Sequence, residues 1–123
     1  MLLTRDTLPD TIPDVAALDE LLCRPSQALI DDLGKVDGDI MILGVAGKMG
    51  PTLAGLAQQA LPDRRVIGVA RFSDASVKDW LQARGIETIN CDLLDEAAIK
   101  ALPKSPNVIF MAGRKFGAEG DLR

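Results

Sequence analysis

Histidine and tyrosine are both missing from this sequence. Their absence removes an imidazole general base, an imidazole metal ligand and a phenolic acid at one stroke. Aromatic side chains are scarce: Phe72, Trp80, Phe110 and Phe116 are the whole set in 123 residues. Cysteine occurs twice, as Cys23 and Cys91, which makes neither a paired metal-ligand motif nor a disulfide framework. Both therefore read as reduced thiols of a cytoplasmic protein. No apolar run approaches the roughly 20 residues of a membrane helix, and residues 1–22 carry acids where a signal peptide is apolar. Positive charge is short as well. With 14 basic against 18 acidic residues the net charge is −4, which argues against a nucleic-acid surface and suits solubility.

What is present is the material for one domain. The chain is 47% hydrophobic and 26% charged, enough to bury a core. Two textures follow one another. Residues 1–38 are helical in pattern. Pro13-Asp14 opens a segment with Val15, Leu18, Leu21 and Leu22 on one face, and Arg24-Pro25 interrupts it. Ser26 can cap a second helix through Lys35 with Leu29, Ile30 and Leu33 as its stripe, and Gly34 and Asp37-Gly38 supply a stop and a turn. This stretch is expected to be an extension packing on the main domain, or to contribute to a subunit contact.

From Asp39 the pattern changes to short β-branched runs alternating with helical stretches. Ile40 to Leu43, Val66 to Ala70, Ile86 to Cys91 and Val108 to Met111 read as strands. Thr52 to Leu61, Ser76 to Arg84 and Asp95 to Leu102 read as the helices between them. The alternation predicts an α/β fold: a Rossmann-type parallel sheet of about four strands, with right-handed crossovers, helices on both faces and strand order 3-2-1-4. The last strand is apolar on both faces, yet in that order it lies at an open edge. The expectation is therefore a Rossmann domain over 39–123 truncated after its fourth strand, a piece of a larger protein. The alternative is a minimal domain that covers the edge by pairing with a second copy.

Directly after the first strand comes Gly44-Val45-Ala46-Gly47-Lys48-Met49-Gly50, a G-x-x-G-x-x-G run opening a helix. Gly44 suits the tight exit from the strand, Gly47 a close approach of backbone N–H groups to a pyrophosphate, and Gly50 close packing of the helix. The helix N-terminus with its dipole favours an anion there. A glycine-rich turn without a ligand is the alternative, and the strand–loop–helix context speaks against it. A Walker A loop is excluded, since Met49 stands where Ser or Thr is needed and Ile42 where glycine is needed. Pro51 is tolerated because its missing N–H falls in the first helical turn.

About 20 residues beyond the loop, where an acid would hold a ribose 2′-hydroxyl, the chain reads Val69-Ala70-Arg71-Phe72-Ser73. Arg71 suits a 2′-phosphate, and Lys48 and Ser73 can join it, so NADP is favoured and NAD remains possible. Arg71 as a solvated strand end is the alternative. After the third strand Asp92 can accept from an adenine amine with Leu93 covering the ring; a helix N-cap is its other use, for which Asp95 competes. After the fourth strand, Ala112-Gly113 are small enough to pass close to a ribose. Arg114-Lys115 beyond them read as a solvated loop or a phosphate contact.

Taken together, the Gly44-x-x-Gly47-x-x-Gly50 loop, Asp92-Leu93 and Ala112-Gly113 resemble the amino-terminal half of the extended short-chain dehydrogenase/reductase family, the NAD(P)-dependent epimerases and dehydratases. The resemblance covers residues 39 to about 117. It implies an NAD(P)-binding Rossmann fold, oxidoreductase chemistry on a small-molecule substrate and a homo-oligomer, while charge and the short apolar runs point to no nucleic-acid or membrane partner. Such enzymes move the substrate proton with a tyrosine whose pKa a lysine lowers. This chain has no tyrosine, so no catalytic residue carries over, and no metal site is expected. Alone it should be inactive. Two other resemblances compete. One is to a dinucleotide-sensing regulator of the same fold that lacks the Tyr–Lys pair. The other is to the dihydrodipicolinate reductases, whose loop Gly47-Lys48-Met49-Gly50 also looks like.

Overall fold

A computed structural model describes residues 1–113, and the basic pair Arg114-Lys115 lies outside the described residues. Four short strands form one parallel sheet: β1 (Ile40–Leu43), β2 (Val66–Ala70), β3 (Glu87–Asn90) and β4 (Asn107–Phe110). Their order is β3-β2-β1-β4, a Rossmann-like arrangement. Ile40 faces Val66 on one side and Asn107 on the other, while Ile67 faces Glu87. The chain thus runs outward from β1 to β2 and β3, then returns across β1 to place β4 on its far side.

Five helices connect and cover the strands: α1 (Val15–Leu22), α2 (Gln27–Gly34), α3 (Gly50–Ala60), α4 (Ala75–Gln82) and α5 (Glu96–Lys100). Local chemistry sets their starts. Asp14 accepts the Ala17 N–H, Ser26 the Leu29 N–H, and Asp95 the N–H groups of Ala97 and Ala98. Each cap satisfies an amide that has no partner inside its helix. The helix α3 starts at Gly50, two residues earlier than periodicity suggests, because Pro51 sits in the first turn where its lack of an N–H is harmless.

Successive strand residues face opposite sides of the sheet. Ile40, Ile42, Val66 and Ala70 meet Ala54 and Ala57 of α3 and Leu81 of α4 in one core. Met41, Ile67, Val69 and Cys91 form the other, with Leu93, Ala98 and Leu102 against it. Helices therefore cover both faces, as the alternation predicts. The β1 and β2 strands are buried almost throughout, whereas β3 and β4 are largely exposed.

The helices α1 and α2 pack on α3. Buried Cys23 lies against Gly55, where any Cβ would come within 2.6 Å of its sulfur. The Arg64 guanidinium donates to the Leu33 and Gly34 carbonyls, and the Leu3 N–H donates to Pro25. The apolar stripe read on α1 is only partly used: Val15, Leu18 and Leu22 are exposed, and Leu21 is half-buried. Periodicity identifies an apolar face but not what covers it. Among the described residues no helix is long and apolar enough to cross a membrane.

Candidate functional site

The C-terminal ends of all four strands open into one cleft of about 600 Å³, within the range of small-molecule sites. The geometry is that of a topological switch point: β1 sends its chain to β2 on one side while β4 arrives on the other, leaving a crevice between the loops.

The glycine loop forms the floor. Gly44 has φ +82°, the left-handed region, and a Cβ there would lie 2.5 Å from the backbone of Ala112. The two loops after β1 and β4 can touch only because position 44 has no side chain. Gly50 is buried and faces the Val45 carbonyl so closely that any side chain is excluded. Its close contact is thus with its own loop. Gly47 differs: a Cβ there meets nothing nearer than the Gly44 carbonyl oxygen at 3.7 Å. The protein itself leaves room for a side chain at 47, on the cleft surface.

The loop then leads into α3, whose N-cap Met49 makes no side-chain capping bond. The amide dipoles at this helix start are therefore not quenched by a capping side chain. Lys48 and Met49 are exposed and, with Gly50, do not line the cleft. The loop turns at Gly44–Gly47, where the Gly47 N–H donates to the Gly44 carbonyl at 3.4 Å, and carries the next two side chains away from the cavity. Of the residues singled out from sequence, Gly44, Gly47, Arg71, Ser73, Asp92, Leu93, Ala112 and Gly113 do line it.

The β2–α4 corner supplies one wall. Phe72 has φ +52° and is the one non-glycine residue among those described with a positive φ. Such a conformation costs about 1–3 kcal/mol and persists only where the surroundings enforce it. The surroundings are visible: the Phe72 ring is 8% exposed and belongs to the core that holds Ala70 and Leu81. With the ring anchored inward, Arg71, Ser73 and Asp74 stand exposed on the rim. Among the described residues the Arg71 guanidinium has no ion-pair partner. Asp74 was not anticipated; it caps α4, and its Oδ1 accepts both the Ser76 N–H (2.9 Å) and hydroxyl (2.6 Å). Those bonds hold its carboxyl below the usual aspartate range. A cap position immediately before a helical stretch was the available signal.

The β3 side adds Cys91, Asp92, Leu93 and Leu94. Asp92 Oδ1 accepts the Leu94 N–H at 2.9 Å, a local turn, while Asp95 takes the N-cap. The competition between the two acids is thus resolved in favour of Asp95. Burial, with Asp95 and Asp92 nearby, pushes the Cys91 thiol up and keeps it protonated at neutral pH. Phe110, Met111, Ala112 and Gly113 close the β4 side. The result is a cleft with a glycine floor, anchored acids, apolar walls and, among the described residues, a guanidinium at Arg71 without an ion-pair partner. Among the described residues no cluster of His, Cys, Asp or Glu is arranged to hold a metal.

The class this defines is a Rossmann-like α/β protein with a cleft at the sheet's switch point. No protein-family model matches the chain, and no curated protein matches its sequence.

Proposed function

We propose that this chain is the NAD(P)-binding portion of an epimerase- or dehydratase-like oxidoreductase, with NADP the favoured cofactor and NAD a possible one. The observation that carries the reading is the cleft itself: a glycine loop between β1 and α3 at the switch point of a parallel sheet. An adenosine and a pyrophosphate are what such a crevice suits. Gly47 supports it from a different direction. Gly47 lies on the cleft surface with no protein atom closer than 3.7 Å to a built Cβ, so its bare backbone is open to a ligand that comes close. In this reading the pyrophosphate lies along the Gly44–Gly47 turn on the cleft floor, drawn by the dipole of α3 behind it. Arg71, with Ser73 beside it, takes a 2′-phosphate, for which an always-charged planar fork is suited. Asp92 and Leu93 face the adenine, and Ala112 and Gly113 a ribose. The cofactor supplies hydride transfer; the chain's own residues bind and orient it. The tyrosine that such enzymes use to move the substrate proton has no counterpart in this sequence, so the reading assigns the chain cofactor binding and no catalytic residue.

That same lack supports a second reading, a dinucleotide-sensing regulator that binds without catalysis. A dihydrodipicolinate reductase-like fragment is a third reading, carried only by the Gly47-Lys48-Met49-Gly50 loop, of which Gly47 alone lines the cleft.

Calorimetric titration with NADP⁺ and NAD⁺ tests the proposal. NADP⁺ is expected to bind tighter, and Arg71→Glu to weaken NADP⁺ by about tenfold or more with a much smaller effect on NAD⁺. Equal loss of both would remove Arg71 as the selector, and binding of neither would overturn the reading.

A further inference from the structure

The Arg71 corner is braced from behind by Asn90 and Lys78, which lie outside the cleft. Asn90 stands opposite Ala70 in the β2–β3 register. Its Nδ2 donates to the Arg71 carbonyl at 3.4 Å, and its Oδ1 accepts from Lys78 Nζ of α4 at 2.9 Å. The same ammonium sits 6.0 Å from the centre of the Phe72 ring. Next along, the Cys91 N–H donates to the Ala70 carbonyl at 2.9 Å. Asn90 of β3, itself held by Lys78 of α4, and Cys91 just past β3 thus meet the two peptide groups that precede the left-handed Phe72, where β2 would otherwise run straight on.

We propose that Asn90, held by Lys78, is a positioning residue for nucleotide selection: it fixes the Arg71–Phe72 turn that presents the Arg71 guanidinium to the cleft. This rests on the reading of the cleft as an NAD(P) site and extends it from the selecting group to what aims that group. The physical argument is one of degrees of freedom. A guanidinium on a long stem discriminates a phosphate from a hydroxyl only if its backbone origin is fixed, since wandering dilutes the interaction. The core holds the Phe72 ring but not the Arg71 carbonyl before it, so the Asn90 bond is what limits the swing of that peptide and of the side chain it carries. Asn90 and Lys78 do not line the cleft. Their loss therefore acts through Arg71 and not by removing a wall.

The test is the ratio of NADP⁺ to NAD⁺ affinity, by calorimetry, in the wild-type chain, Asn90→Ala and Lys78→Met. Asn90 is exposed and Lys78 half-buried, and thermal melts check that both variants remain folded. Asn90→Ala is expected to weaken NADP⁺ several-fold with NAD⁺ within about twofold, and Lys78→Met to do the same to a lesser degree. Adding Asn90→Ala to Arg71→Glu should then cost nothing further, because the group being positioned is gone. An unchanged ratio in Asn90→Ala, beside a wild type that prefers NADP⁺, overturns this inference and leaves the site reading intact. Loss in Lys78→Met without loss in Asn90→Ala also overturns it, showing the ammonium to act on the phosphate directly. A wild type without preference would instead sink the NADP reading, and this inference with it.

Discussion

Ile40 and Ile42 face one side of the sheet, Met41 and Leu43 the other, and the two sides are filled unequally. On the first, α3 and α4 bring alanines and Leu81 down onto β1 and β2, and eleven buried side chains form a continuous core. On the second, the described helical cover is α5, five residues long, and four side chains are buried. A helix of that length is little more than one turn and spans few strands. Parallel sheets need cover on both faces, so among the described residues the second side is the thinner one. It is also the side to which Val108 and Phe110 belong by register with Met41 and Leu43, and both are more than half exposed.

The largest expected effect tests the thick side. Ile42 is fully buried. Ile42→Ala should cost about 2–5 kcal/mol through lost burial and a cavity that α3 and the strands cannot close. In a thermal melt that is a fall of roughly 10 °C or more. Met41→Ala, at the neighbouring position on the thin side, should cost less, because short α5 and its loops can settle into the space. Equal losses would break the comparison and mean that the two faces are packed alike.

Much of this architecture was legible beforehand. The strand order follows from the βα alternation and right-handed crossovers, and the structure has it as β3-β2-β1-β4. Gly44 could be read from spacing as the tight exit from β1, whereas Gly50 is held bare by the Val45 backbone of its own loop and not by the sheet that spacing suggested. What was not legible depends on directions and on tertiary compensation. That Lys48 and Met49 leave the cleft is set by the turn within the loop, and spacing is blind to it. A left-handed Phe72 contradicts the residue's own preference and exists because the core captures its ring. Asp74 lies four residues past β2, and only the tight corner at Phe72 brings it to the rim.

Acid separates charge from packing and should move stability less. No charged side chain is buried on either face among the described residues. Arg65 holds the Glu87 carboxyl below its ordinary range, Arg24 does so for Glu20, and Ser76 for Asp74. For a carboxylate whose folded pKa lies below its unfolded one, the stabilisation is complete above the unfolded value and is lost as pH falls through the folded one. The melting temperature should therefore be flat from pH 7 to about 5 and decline below about 4.5, the ordinary glutamate value. Because these pairs lie outside both cores, wild type, Ile42→Ala and Met41→Ala should decline in parallel. A steeper fall in Met41→Ala alone would show that ion pairs are holding up the thin side.

The smallest effect is expected at the edge of that side, and it carries the most information about what surrounds the strand in solution. Val108 is 53% exposed and lies outside the cleft. Val108→Thr keeps the β-branched shape that a strand prefers and exchanges one methyl for a hydroxyl. In a residue as open as this one, the melting free energy should move by no more than about 0.5 kcal/mol. The same exchange at a covered position is another matter, because the hydroxyl then loses water without gaining a partner and costs roughly 1–3 kcal/mol. A near-zero change thus fits β4 as an exposed edge. A loss in the larger range, fading as the protein is diluted, would mean that a second copy covers β4 and that the thin side is completed by association.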